Sequence, residues 1–273
     1  VRQNSQECQF STSESWVILS PIEQSIKRKI EEAGTPLKDW DINIYRGILT
    51  GYNEAFIIDG KKKDELIAED PKSAEIIRPI LRGRDIKRYG YDFADLWLIN
   101  THNGIKEKGI KPIDIDDFPA IKKHLDKYYF ELSKRADKGE TPYNLRNCAY
   151  MDDFSKQKIV WKRVGSILKF CLDSSGAFAL DSTCFATGKD IEYILCFLNS
   201  TIGNYLLRDS PKTGTGDLLI SVQAIEPIIV PLATKEVAEK INKLLDELIS
   251  TRNPNYEFLI NEVFYNLLSL DTE

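Results

Sequence analysis

The pattern of apolar residues predicts an α+β fold, with strands and helices intermixed through most of the chain and a helical pair at its end. Three observations lead there. Short apolar runs rich in β-branched and aromatic residues, bounded by Gly, Asn or Asp, recur between residues 42 and 173 and have the length and composition of strands. Other stretches carry apolar residues three and four apart, the spacing that gives a helix one apolar face. After Pro227 and Pro231 the strand-like runs stop and only helical spacing follows. Hydrophobic residues are 42% of the 273 and charged residues 29%, which supplies a sizeable core and excludes a disordered chain.

In order, INIYRGIL (42–49), AFIID (55–59), LWLI (96–99), KIVWKRV (158–164) and LKFCLD (168–173) read as strands. Residues 73–81, 113–134 and 191–207 read as helices; in the last, Ile194, Leu195, Leu198, Ile202 and Leu206 fall on one side. In the tail, Val237, Ile241, Leu244, Leu245 and Leu248 form one stripe. Arg252, Asn253 and Pro254 break it, and Leu259, Val263, Phe264, Leu267 and Leu268 form a second. A boundary near Leu232 therefore divides a domain over 1–232 from a helical pair over 233–273. Gly47, Gly51 and Gly83 are assigned to tight turns, and Tyr45 and Trp161 to the core.

Net charge is −5, which argues against wholesale attraction to polyanions. Its distribution is uneven, however. Arg78, Arg82, Arg84, Lys87 and Arg88 face one acid, Asp85, within eleven residues, and Lys156, Lys158, Lys162, Arg163 and Lys169 face none between 154 and 172. The five cysteines, Cys8, Cys148, Cys171, Cys184 and Cys196, are odd in number and contain no Cys-x-x-Cys pair, so free thiols and a cytoplasmic location are expected. No signal sequence or membrane-length apolar run occurs. Beginning at Val1 in a polar stretch, the chain reads as part of a longer polypeptide.

Catalytic motifs are absent from the pattern. The nearest match to an amino-methyltransferase Asn-Pro-Pro-aromatic loop is Asn253-Pro254-Asn255-Tyr256, which falls in the turn between the tail helices. Gly214-Thr215-Gly216 follows no convincing strand and reads as a turn. Asp59-Gly60-Lys61, Asp70-Pro71-Lys72 and Asp85-Ile86-Lys87 satisfy only a relaxed nuclease pattern in charged turns. His102 and His124, the only histidines, are assigned to a loop or helix surface. No catalytic residue, bound cofactor or metal is expected in this chain.

Six phrases in order identify a resemblance. They are the run from Thr35-Pro36-Leu37 through Ile44-Tyr45-Arg46-Gly47 to Asp59, Asp70-Pro71-Lys72-Ser73, Ile80-Leu81-Arg82-Gly83-Arg84-Asp85-Ile86-Lys87-Arg88-Tyr89, Lys158-Ile159-Val160-Trp161, Leu198-Asn199-Ser200, and Ile260-Asn261-Glu262-Val263-Phe264-Tyr265-Asn266-Leu267-Leu268. From about residue 35 onward the chain resembles the TaqI-like C-terminal specificity domain of type IIG restriction-modification enzymes. It departs at its end, where Leu267-Leu268-Ser269-Leu270 stands for the usual Leu-Tyr-Gly-Leu.

The resemblance implies a mixed-sheet target-recognition domain similar to type I specificity subunits. It implies double-stranded DNA as partner, and an upstream N6-adenine methyltransferase domain of the same polypeptide that uses S-adenosylmethionine, with a magnesium-dependent nuclease further upstream. Since arginine can bridge guanine O6 and N7 and asparagine adenine N6 and N7, Arg163 and Asn53 are the expected base readers. Arg84, Lys87, Arg88, Lys162, Lys169 and Lys212 complete the expected DNA-binding set, the lysines and Arg88 as phosphate contacts. The alternative is a protein-interaction or regulatory module assembling through the C-terminal helices, which duplex binding with salt dependence distinguishes.

Overall fold

The computed structural model describes residues 20–270. In chain order the elements are α1 (Pro21–Ala33), β1 (Gly34–Pro36), β2 (Ile42–Arg46), α2 (Asn53–Phe56), β3 (Ile57–Asp59), α3 (Gly60–Glu69), β4 (Ile77–Leu81), β5 (Leu96–Ile99), α4 (Pro119–Asp126) and α5 (Tyr129–Lys134). There follow β6 (Lys158–Lys162), β7 (Val164–Gly165), β8 (Phe170–Asp173), β9 (Phe178–Ala179), β10 (Thr183–Gly188), α6 (Ile191–Asn199), α7 (Thr201–Leu207), β11 (Leu218–Leu219), α8 (Val222–Ile225), β12 (Ile229–Pro231), α9 (Lys235–Thr251) and α10 (Asn255–Leu267).

A central antiparallel sheet has the order β2-β10-β6-β8. Alternation along its strands sends side chains to two cores. Ile159, Trp161, Phe170, Cys184 and Ala186 face one, which they share with α6, α9 and α10. Val160, Cys171 and Phe185 face the other, which a second sheet and the residues of α2 to α5 fill. Burial on both faces explains why Ile159-Val160-Trp161 is a continuous apolar run and not an alternating one. The second sheet has the order β3-β5-β4-β9, with β4 and β9 parallel and the other pairs antiparallel.

The two sheets meet at one stretch of chain. β9 belongs to the second sheet, Leu180 to Ser182 cross over, and β10 enters the central sheet. Ile48 and Gly47 close the junction, their amides donating to the Ala179 and Thr183 carbonyls at 2.7 and 3.0 Å. Gly47 permits the approach: a Cβ there would lie 2.0 Å from the Leu180 carbonyl oxygen. Gly51, at φ +69°, does turn the chain as expected.

The tail forms two helices, as its stripes predict. Thr234 caps α9 by accepting from the Val237 amide, and Arg252 ends it in the left-handed region at φ 55°. Ile241, Leu245 and Leu248 of α9 and Ile260, Val263 and Phe264 of α10 are buried. Phe264 sits with its ring 5.5 Å from Tyr193 and 5.3 Å from Phe197 of α6.

Four readings need correction. The helix expected over 73–81 is instead a 3-10 turn (Pro71–Glu75) followed by β4. Pro79 lies inside that segment, and a proline within a helix loses a hydrogen bond and clashes with the preceding turn; Ile76, Ile77 and Ile80 favour the extended form. The helix expected over 191–207 is two, divided at Ser200, whose hydroxyl accepts from the Gly203 amide at 3.1 Å and so caps α7. Residues 113–134 likewise form a 3-10 turn (Ile115–Asp117) and two short helices, α4 and α5. His124 is buried, not superficial; its Nε2 lies 3.0 Å from the Ala55 carbonyl oxygen, and burial lowers its pKa. Cys148, Cys171, Cys184 and Cys196 are free thiols, and Cys8 lies outside the described residues.

Candidate nucleic-acid interface

The site is built where the central sheet ends. Trp161, 1% exposed, is fixed by its indole N–H donating to the Ile220 carbonyl at 2.9 Å. Alternation turns the next side chain, Lys162, to the opposite face and into solvent, beside Thr183 of β10. Arg163 is held by its backbone, its amide donating to Ser182 O at 3.0 Å and its carbonyl accepting from the Ile220 amide at 2.8 Å. β7 then pairs with β11, Gly165 opposite Leu218, and Leu218 is bridged in turn to Lys212. Lys212 thus lies two strand spacings from Gly165, about 10 Å. On the other flank Trp161 pairs with Phe170 at the end of the ladder, and Lys169 immediately precedes that pair.

Arg84 arrives from the second sheet. β4 runs into a 3-10 turn, Gly83–Asp85, whose first amide donates to the Ser182 hydroxyl at 3.1 Å. A Cβ on Gly83 would lie 2.8 Å from Cγ of Lys162, so the turn packs directly on the lysine stem. Asp85, the one acid of its basic segment, is only 4% exposed and is taken up by Arg82, whose Nε and Nη2 donate to it at 3.1 and 2.8 Å. That bidentate pair is internal. Arg84 is left exposed.

Five of the eight expected residues, Arg84, Lys162, Arg163, Lys169 and Lys212, therefore cluster around the end of β6. None of them has an ion-pair partner among the described residues. The other three do not join them. Asn53 opens α2 and its amide oxygen accepts from the Thr50 hydroxyl at 2.6 Å. Lys87 pairs with Asp92 at 3.2 Å. Arg88 donates to the Asn199 carbonyl at 2.9 Å and to Glu257 at 2.6 Å, tying the basic segment to α10. Of the second basic segment, Lys158 is fully buried in an ion pair with Asp173 and Lys156 pairs with Asp153 at 2.5 Å, so charge counting overstated the free cations there.

Arg46 was missed. It pairs across β10 with Cys184, and burial pushes the Cys184 thiol up to about 11 against the opposing influence of both Arg163 and Arg46. Arg46 is exposed, with a 3.5 Å contact to Asp181. The available signal was its position as the lone cation within the predicted strand INIYRGIL (42–49). Ser182, which receives both the Gly83 turn and the Arg163 amide, had no signal of its own.

A family model described as the TaqI-like C-terminal specificity domain matches residues 78–218, a span that contains all five clustered cations. Among solved structures, the type IIL restriction-modification enzyme MmeI in complex with DNA matches with a TM-score of 0.66 at 10% identity, over 88% of this chain and 34% of that one. The type IIG restriction endonuclease BpuSI matches with a TM-score of 0.50 at 15% identity, over 91% and 32%. At these identities the likeness is one of fold, and this chain spans about a third of each enzyme's length. No curated protein matches the chain by sequence.

Proposed function

Because the chain belongs to the TaqI-like C-terminal specificity domain family, we propose that it is the DNA target-recognition module of a type II restriction-modification enzyme. The observation that carries this reading is the gathering of Arg84, Lys162, Arg163, Lys169 and Lys212, none of them ion-paired among the described residues, in a chain whose net charge is −5. Lysines on flexible stems suit phosphates and set register, whereas an arginine with its backbone fixed on both sides suits a base edge. Arg163 is accordingly the base reader of this group, while Arg84, Lys162, Lys169 and Lys212 hold phosphates. Arg88, committed to Glu257 and Asn199, acts instead inside the molecule. Asn53 stands apart from the cluster, and its part in base reading is a separate contact on this proposal.

Under this reading the chain positions a target adenine for a methyltransferase domain of the same polypeptide. Methyl transfer from S-adenosylmethionine and magnesium-dependent cleavage are assigned to those other parts, and the setting is cytoplasmic. Selection of bound duplexes from a randomised pool tests the recognition step. The wild-type chain is expected to enrich a defined sequence, and Arg163→Ala to lose preference at one base pair worth about 1–3 kcal/mol of discrimination. Enrichment of no sequence by the wild-type chain contradicts the proposal.

A further inference from the structure

Between β7 and β8 the chain makes a short loop, Ser166 to Lys169, and its two apolar residues behave differently. Leu168 packs against the core shared with α6. Ile167 is 69% exposed. Isolated apolar residues on a surface are ordinary; the setting of this one is not. A methyl group placed on Gly165 would sit 3.6 Å from Nζ of Lys162 and 3.8 Å from the carbonyl oxygen of Ile167, so the lysine ammonium and the Ile167 backbone border the same spot. Arg163 precedes the loop and Lys169 ends it, and neither has an ion-pair partner among the described residues.

An uncovered branched side chain within a group of free cations is complementary to a surface that is anionic at its rim and apolar at one point inside. Duplex DNA offers that combination: phosphates line the groove, and the thymine C5-methyl group projects into the major groove, which is wide enough for a two-stranded ribbon such as β7 with β11. We infer that Ile167 is a specificity-determining residue that makes an apolar contact with a thymine methyl in the major groove. The inference rests on the DNA-recognition reading above and adds a residue and a base to it. Leu168, partly buried against the core, holds the loop while Ile167 makes the contact.

Replacing thymine by deoxyuridine removes that methyl and leaves base pairing intact, so it isolates the contact. With the sequence enriched by the wild-type chain, each thymine is replaced in turn and affinity is measured for the wild-type chain and for Ile167→Ala. One replacement is expected to weaken wild-type binding about fourfold, the equivalent of ~0.8 kcal/mol for one buried methyl, and to leave Ile167→Ala unchanged. Ile167→Ala should also lose preference for T·A at that pair while keeping the other positions. If every replacement affects both proteins equally, or if Ile167→Ala weakens all sequences alike, the inference is wrong and the recognition reading stands. If the wild-type chain shows no salt-dependent duplex binding, that reading falls and the inference with it.

Discussion

At the scale of single residues, the most demanding position is Lys158. Its side chain is wholly buried, as is that of Asp173, and the two form an ion pair between β6 and β8. The lysine also donates to the Phe154 carbonyl at 2.6 Å, and Asp173 accepts from Tyr91 at 3.0 Å and from the Ser175 hydroxyl at 2.6 Å. Burial alone would raise the Asp173 carboxyl; Lys158 and the Ser175 hydroxyl and amide outweigh it and hold the carboxyl below its usual value. Breaking one member of such a pair leaves a buried charge, so Asp173→Asn should destabilise the chain by roughly 3–5 kcal/mol at neutral pH in urea unfolding. The pH sign follows from the lowered pKa. The stabilisation is complete above the unfolded carboxyl value of about 4 and is lost as pH falls through the folded one. The wild-type chain should therefore lose stability in that acid range more steeply than Asp173→Asn, and equal slopes would show that this carboxyl is not coupled to folding. Sequence reasoning counts Lys158 in a basic segment without an acid because Asp173, fifteen residues on, becomes its neighbour only through the β6–β8 register. Trp161 was legible, since a large apolar ring in a strand-like run has few alternatives to the core.

At the scale of elements, local pattern was a good guide where packing agreed with it and a poor one where a single residue overrode it. The α9 stripe survives because that helix offers one apolar face to α6, whereas in α10 Leu259 is exposed and Ile260 takes its place beside Val263 and Phe264 on the buried face. Residues 73–81 carried helix-like spacing, but Pro79 and three isoleucines decided for strand. Ser200 divides α6 from α7 by capping, an effect that apolar periodicity does not register. The tail helices are also fastened by polar contact, for Arg88 joins α10 through Glu257 and the end of α6 through the Asn199 carbonyl. Asn199 itself continues the connection by donating to Phe170 O at 2.8 Å and accepting from the Phe170 amide at 3.1 Å, next to Lys169. Arg88→Ala should accordingly reduce stability by about 1–2 kcal/mol, the range for a partly exposed charged hydrogen-bond pair, and increase hydrogen exchange in α10. Stability and exchange identical to wild type would instead make Arg88 a free surface cation.

At the scale of the whole molecule, the middle of the central sheet is buried on both faces, while Asn43, Arg46 and Lys162 at its margins reach solvent. One layer of helices and one second sheet cover it, and the end of β6 emerges at the junction where the 178–183 stretch passes between sheets. That convergence assembles the candidate interface. Arg84 is contributed by the second sheet, Lys162 and Arg163 by the central one, and Lys212 by the ribbon that β7 forms with β11. The α+β class, the helical pair and two cation-rich segments were legible in the sequence. Which cations stay free was not, because that depends on acids brought close by folding: Asp85 to Arg82, Asp92 to Lys87 and Glu257 to Arg88.

The central claim, that the free cations around β6 are the DNA-facing surface, is tested most directly by salt dependence. Duplex affinity of the wild-type chain, Arg84→Glu, Lys162→Glu and Lys169→Glu is measured across a salt series, beside Lys240→Glu at an exposed position of α9 as control. Each lost phosphate contact should lower the slope of log affinity against log salt by about 0.9. The account predicts that reduction in the three cluster variants, with sequence preference kept, and the wild-type slope in Lys240→Glu. Wild-type slopes in all four variants would contradict it.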